Sequence, residues 1–143
     1  MGGDERQKFP NARPWWGGGC VDDGIPFTEV AYCSECRKAY ARVADQAEKA
    51  FGKIHVLVNN AGLGLLGAID KTKYDDWDWG LSVMIGGVVN GILTVLPRIR
   101  AHGEGGHIVN TASMAAVIPI PNCSIYITAK SALVGLSECL AGE

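Results

Sequence analysis

The sequence predicts an α/β fold built on a parallel sheet flanked by helices. Three observations carry this: an amphipathic helical stretch ahead of Gly52, two short apolar runs, "IHVLVNN" and "GHIVNTAS", and helical segments between and after them. Helix, strand, helix, strand, helix is the order in which crossover helices join parallel strands. With 143 residues the chain makes one domain at most, and an apolar share of 48% is enough for a core.

The elements follow in order. Residues 1–27 hold six glycines and three prolines without apolar periodicity, and are expected to be irregular. From Thr28, the residues Cys33, Cys36, Tyr40, Val43, Ala44, Ala47 and Phe51 recur at steps of three and four, which predicts a helix that stops at Gly52. "IHVLVNN" reads as a strand buried on both faces, as in a parallel sheet, and a loop from Ala61 to about Lys73 follows. A long helix is expected from Tyr74–Trp77 towards Arg100, with Trp77, Leu81, Met84, Val88, Ile92 and Val95 on one side and Pro97 kinking or ending it. "GHIVNTAS" is the second strand, and residues 126–140 form the last helix.

Composition narrows the partners. A net charge of −2 without a basic run gives no footprint for nucleic acid, so a small molecule is expected instead. Trp79 to Pro97 carries no charge over a length that nearly spans a bilayer, but Ser82, Asn90, Thr94 and four glycines favour a buried helix of a soluble protein, with no membrane partner. Five cysteines, an odd number, and a charged start unlike a signal peptide point to a reducing, cytoplasmic setting. Cys33 and Cys36 have metal or redox spacing without a second ligand pair, and core packing accounts for them; His55, His102 and His107 show no ligand spacing.

The chemistry-bearing stretch is "SIYITAK". Tyr126 and Lys130, four apart, share one helix face. A phenol ordinarily titrates near ~10, and an ammonium beside it favours the phenolate, so such a pair can serve as an acid/base catalyst. Thirteen residues upstream, Ser113 ends the second strand, where an α/β sheet presents side chains to its ligand crevice. "LVNNAG" ends the first strand in a turn, and Asn59 there is either a turn cap or part of the site.

Taken together, "NNAG" at 59–62, "GGHIVNTAS" at 105–113, "YITAK" at 126–130 and the long helix "DDWDWGLSVMIGGVVNGILTVLPRI" resemble the short-chain dehydrogenase/reductase family, from about Thr28 to the C-terminus. The resemblance implies a partial Rossmann-type domain over residues 28–143 and reversible NAD(P)-dependent interconversion of a secondary alcohol and a ketone. Tyr126 would exchange the substrate's hydroxyl proton, and Ser113 would hydrogen-bond its oxygen. Lys130 would assist Tyr126 and hold the nicotinamide ribose, while Asn60, Ala61 and Gly62 line the cofactor. It also implies a homo-oligomer formed through the helices at about 74–100 and 126–140.

Departures from the family pattern carry their own expectations. Met84 stands where the family places a relay asparagine, and a thioether holds a water poorly. Asn90, six residues on, faces elsewhere on a regular helix. No glycine-rich turn after an apolar strand precedes Thr28, so the NAD or NADP site is expected to be incomplete, the first βαβ unit and C-terminal strands lacking, and activity of the truncated chain doubtful. Gly62, Gly64 and Gly67 spell G-x-G-x-x-G, but no apolar-periodic helix opens directly from them, so they read as a loop. The alternative to an active enzyme is a non-catalytic fragment that associates through its long helices.

Overall fold

The structure, a computed structural model, describes residues 34–143. The irregular segment expected over 1–27, the helix start at Thr28 and Cys33 lie outside the described residues. The spacing ahead of Gly52 folds as helix α1 (Ser34–Phe51). Gly52 stops it at φ +84°, a left-handed conformation that side chains resist, and donates its N–H to the Glu48 carbonyl at 2.9 Å. The apolar stripe is only in part a core face: Cys36 and Ala44 are buried, whereas Val43 and Phe51 are exposed. Charge supplies further docking, because Arg98 of the next helix reaches Asp45 Oδ1 at 2.6 Å and also Glu48, two carboxylates one turn apart.

Strands β1 (Val56–Asn59) and β2 (His107–Asn110) pair in parallel, from Val56 opposite His107 to Asn59 opposite Asn110. The expectation of strands buried on both faces is corrected. Leu57, Asn59, Ile108 and Asn110 are half-buried, while Val56, Val58 and Val109 are exposed. Among the described residues helices cover one face of this pair, so burial alternates with the pleat. The loop after β1 is also more ordered than expected: it contains a 3₁₀ turn, Ile69–Lys71, and Gly67 donates to the Asn122 carbonyl at 2.8 Å.

Helix α2 runs from Tyr74 to His102. At its start the Lys73 N–H donates to Asp76 Oδ2 at 2.9 Å, and Trp77 Nε1 donates to Thr72 Oγ1 at 3.0 Å. Asp75 and Asp76 set negative charge at the positive end of the helix dipole. Ser82–Gly86 is a π turn, and Gly103, at φ +69°, closes the far end. Pro97 does not end the helix. It and Leu93, whose carbonyl loses its donor, are both exposed, so water can satisfy that oxygen.

By length and composition alone α2 could cross a membrane, yet half of its most apolar window is buried. Val88 and Ile92 pack on Leu133 of helix α3 (Ser124–Ala141), with Leu57 and Ile108 of the strands against them. Burying a leucine as fully as Leu133 stabilises the fold by on the order of 2 kcal/mol. A second cluster joins Met84 to Ile125 and Ala129, with Trp77, Leu81 and Tyr126 around it.

Two polar arrangements fix the ends of the sheet. At the carboxyl end, Asn59 Nδ2 donates to Asn110 Oδ1 at 2.8 Å, Asn110 Nδ2 to Ser137 Oγ at 2.9 Å, and Ser137 Oγ to the Leu133 carbonyl at 2.7 Å. That row ties β1, β2 and α3 together. It also leaves no room on α2, where a Cβ on Gly91 would sit 2.5 Å from Asn59 Oδ1. At the amino end, hydrogen bonds from Lys53 and then His55 hold the exposed Glu104 carboxyl at about 2.

Two outcomes follow from this packing. Alanine ordinarily stabilises a helix by about 1 kcal/mol over glycine, but at Gly91 the clash reverses the sign, and Gly91→Ala should lower stability by about 1–3 kcal/mol in urea denaturation. The Glu104 carboxyl is lowered from 4.5 to about 2, so its contribution is full above the unfolded value and is lost as pH falls through that window. The difference in thermal midpoint between the unaltered chain and Glu104→Gln should therefore shrink on acidification across it.

Candidate active site

The parallel strands end side by side, which brings the turns after them together with the first turns of α3. The meeting point is a cleft of about 310 Å³. The turn after β1 contributes Asn60, Gly62, Leu63 and Gly64, the turn after β2 contributes Thr111 and Ala112, and α3 contributes Tyr126 and Lys130. A crevice outside the carboxyl ends of parallel strands is where α/β sheets bind their ligands.

Lys130 is the most constrained side chain here. It is 3% exposed, and its ammonium donates to the Thr111 carbonyl at 2.5 Å. A buried ammonium is costly without such a partner, so the turn after β2 fixes where Nζ lies. The same atom sits 5.8 Å from the centroid of the Tyr126 ring, within the reach of a cation–π contact. It would lie 3.4 Å from a Cβ added to Gly62, so a side chain at 62 would start in van der Waals contact with the ammonium.

Tyr126 is half-buried and packs against the buried cluster of Met84, Ile125 and Ala129. Met84 itself is fully buried. Its thioether lies within an apolar cluster, and neither it nor Asn90 lines the cleft. Asn60 Oδ1 accepts from Thr111 Oγ1 at 3.0 Å, an exposed bond that joins the two strand ends beside the cleft. Asn59 points the other way, into the Asn110–Ser137 row, and its role there is structural.

Ser113 and Ala61 stand next to lining residues without lining the cleft. Ser113 caps the 3₁₀ turn Met114–Ala116: its Oγ accepts from the Ala115 N–H at 3.2 Å. A hydroxyl used as an acceptor keeps its own O–H to donate. Of the G-x-G-x-x-G triplet, Gly62 and Gly64 line the cleft, while Gly67 bridges to Cys123 and leads into the 3₁₀ turn rather than a long helix. Sequence reasoning missed Thr111, whose service to Lys130 comes from its backbone carbonyl and so leaves no mark on residue type.

Comparison with known proteins agrees with this geometry. Residues 27–143 match the family described as short chain dehydrogenase. The C alpha-dehydrogenase of Sphingobium sp. (strain NBRC 103272 / SYK-6) is 43% identical over 103 residues, covering 71% of this chain and 34% of that protein. Among solved structures, the apo form of LigO from Sphingobium sp. strain SYK-6 matches with a TM-score of 0.74 at 44% identity, over 83% of this chain and 42% of that one. A short chain dehydrogenase/reductase from Burkholderia phymatum, solved in complex with NAD, matches with a TM-score of 0.70 at 39% identity, over 73% of this chain and 37% of that one. The chain thus spans roughly a third to two fifths of the length of these relatives. By its family match, its α/β architecture and its likeness to Rossmann-fold relatives, this chain belongs to the short-chain dehydrogenase/reductase family of oxidoreductases.

Proposed function

We propose that this chain carries the reaction centre of an NAD(P)-dependent oxidoreductase that interconverts a secondary alcohol and a ketone. The observation that supports it is the shared cleft of Tyr126 and Lys130 beside Asn60 and Gly62, at the carboxyl ends of two parallel strands. A phenol beside a fixed ammonium suits proton exchange with an alcohol oxygen.

The residues present fit a nicotinamide nucleotide. A buried ammonium and the Asn60 amide suit the ribose hydroxyls, and the bare backbones of Gly62 and Gly64 let a flat ring approach. Asn60, Ala61, Gly62, Tyr126 and Lys130 would hold NAD or NADP, which supplies the hydride acceptor or donor. A nicotinamide cofactor is in keeping with the NAD complex of the Burkholderia relative. In this reading Tyr126 takes or returns the proton of the substrate hydroxyl. Ser113 directs its O–H to the same oxygen, where negative charge develops. Lys130, anchored on Thr111, holds positive charge beside Tyr126 as that proton moves.

In the same reading the partner is a small molecule rather than nucleic acid or a membrane, and the setting is a reducing cytoplasm, in keeping with the unbridged Cys123 and Cys139. The helices at about 74–100 and 126–140 would join copies of the chain, and Leu93, exposed on the first of them, suits such a contact. A second reading, a non-catalytic family fragment that only associates, is favoured by the exposed apolar sheet face of Val56, Val58 and Val109.

Titration of NADH or NADPH fluorescence separates the two, with saturable quenching or enhancement expected for the oxidoreductase. Tyr126→Phe should cut alcohol oxidation by about 10²–10⁴-fold while cofactor binding and the circular dichroism spectrum persist. No saturable binding, together with a concentration-dependent dimer in light scattering, would replace this reading with the second.

A further inference from the structure

We propose that His55, His102 and Glu104 form a binding site for a divalent transition-metal ion of the Zn²⁺ type, at the end of the sheet opposite the cleft. The site stands independently of the oxidoreductase reading. Each residue offers one ligand atom, and these atoms lie within 4.8 Å of one another. Three segments supply them: His55 precedes β1, His102 ends α2, and Glu104 lies in the turn to β2.

The hydrogen bonds around the two rings already hold them as metal ligands are held. His55 Nδ1 lies 3.1 Å from the Lys53 carbonyl, and His102 Nε2 lies 3.0 Å from the Ile54 carbonyl. A carbonyl only accepts, so each contact is a hydrogen bond in the tautomer that carries its proton there. In the neutral rings this leaves lone pairs on His55 Nε2 and His102 Nδ1. Anchoring the far nitrogen on a backbone carbonyl is the usual way a ligating imidazole is oriented. The rings are 4.7 Å apart between centroids and tilted by 47°.

The contact with Glu104 is where a cation would enter. His55 Nε2 and Glu104 Oε2 are 2.9 Å apart, and in the neutral tautomer both are acceptors. Either the hydrogen that Nε2 donates to the carboxylate or an ion in its place sits between them. His102 Nδ1 now accepts from the Glu104 N–H at 3.1 Å, and an ion would displace that exposed amide to water. Lys53 occupies the other carboxylate oxygen, which leaves Oε2 for the ion. Two imidazoles and one carboxylate suit Zn²⁺, with water in the fourth place, better than the oxygen-seeking Mg²⁺ or Ca²⁺. Tetrahedral bonds of roughly 2.1 Å space ligand atoms about 3.4 Å apart, so the widest pair closes by about 1.4 Å while His55 and Glu104 part slightly.

Calorimetric titration of the purified chain with Zn²⁺ near neutral pH tests the site, alongside the absorption spectrum of the Co²⁺ form. One chelator-reversible ion per chain is expected, together with a metal-dependent rise in thermal midpoint. His55→Ala and Glu104→Gln should each weaken binding by at least about tenfold, while His107→Ala, on the same edge but outside the cluster, leaves it unchanged. Circular dichroism of each variant confirms that it folds. Absence of saturable binding, affinity untouched by His55→Ala and Glu104→Gln, or a thiolate-to-cobalt charge-transfer band would each overturn the proposal.

Discussion

The contact on which the cleft depends is the one between the Lys130 ammonium and the Thr111 carbonyl. A charge only 3% exposed cannot be left without a partner. The carbonyl that meets it belongs to the first residue beyond β2, so the parallel register of the two strands decides where the positive charge sits. Tyr126, one helical turn earlier, is placed by the same constraint. Gly62 keeps the opposite wall bare at the point where any side chain would touch Nζ.

Beneath that contact the sheet is locked to the helices by side-chain amides rather than by apolar packing alone. Asn59, Asn110 and Ser137 each satisfy a neighbour on a different element. Polar rows of this kind hold one geometry firmly when every member is paired. The closeness of α2 to β1 at Gly91 belongs to the same arrangement, because Asn59 occupies the space a side chain would need. The cleft is therefore carried by a frame whose polar groups are paired across elements.

The main elements were legible because their periods are strong. The helix before Gly52, both strands and the two later helices fall within a few residues of the expected places once the described residues are considered. The pairing of Tyr126 with Lys130, and their meeting with Asn60 and Gly62, could be anticipated from spacing and family likeness. What could not be read were contacts made by the backbone and by distant segments. The Thr111 carbonyl has no residue signature, the π turn at Ser82–Gly86 has no consensus within this chain, and His55 meets His102 only after folding. Exposure of Val56, Val58 and Val109 was missed for another reason: an apolar run states that a strand is suited to burial, not that something covers it.

The π turn is the one stretch of α2, among the described residues, that holds a residue more than a regular helix would. One wider turn within an α-helix amounts to a single-residue insertion, and each residue of regular helix advances about 100° around the axis. Removing one residue between Ser82 and Gly86 would therefore return that turn to regular helix with its flanks in phase, whereas removing one from the regular turns of Tyr74–Leu81 or Gly87–His102 would swing the parts on either side by about that angle. Trp77 and Leu81 would in that case leave the cluster of Met84, Ile125 and Ala129 against which Tyr126 also packs. A codon lost within the π turn is thus absorbed where it falls, while one lost elsewhere in α2 turns a whole face of the helix away from its contacts.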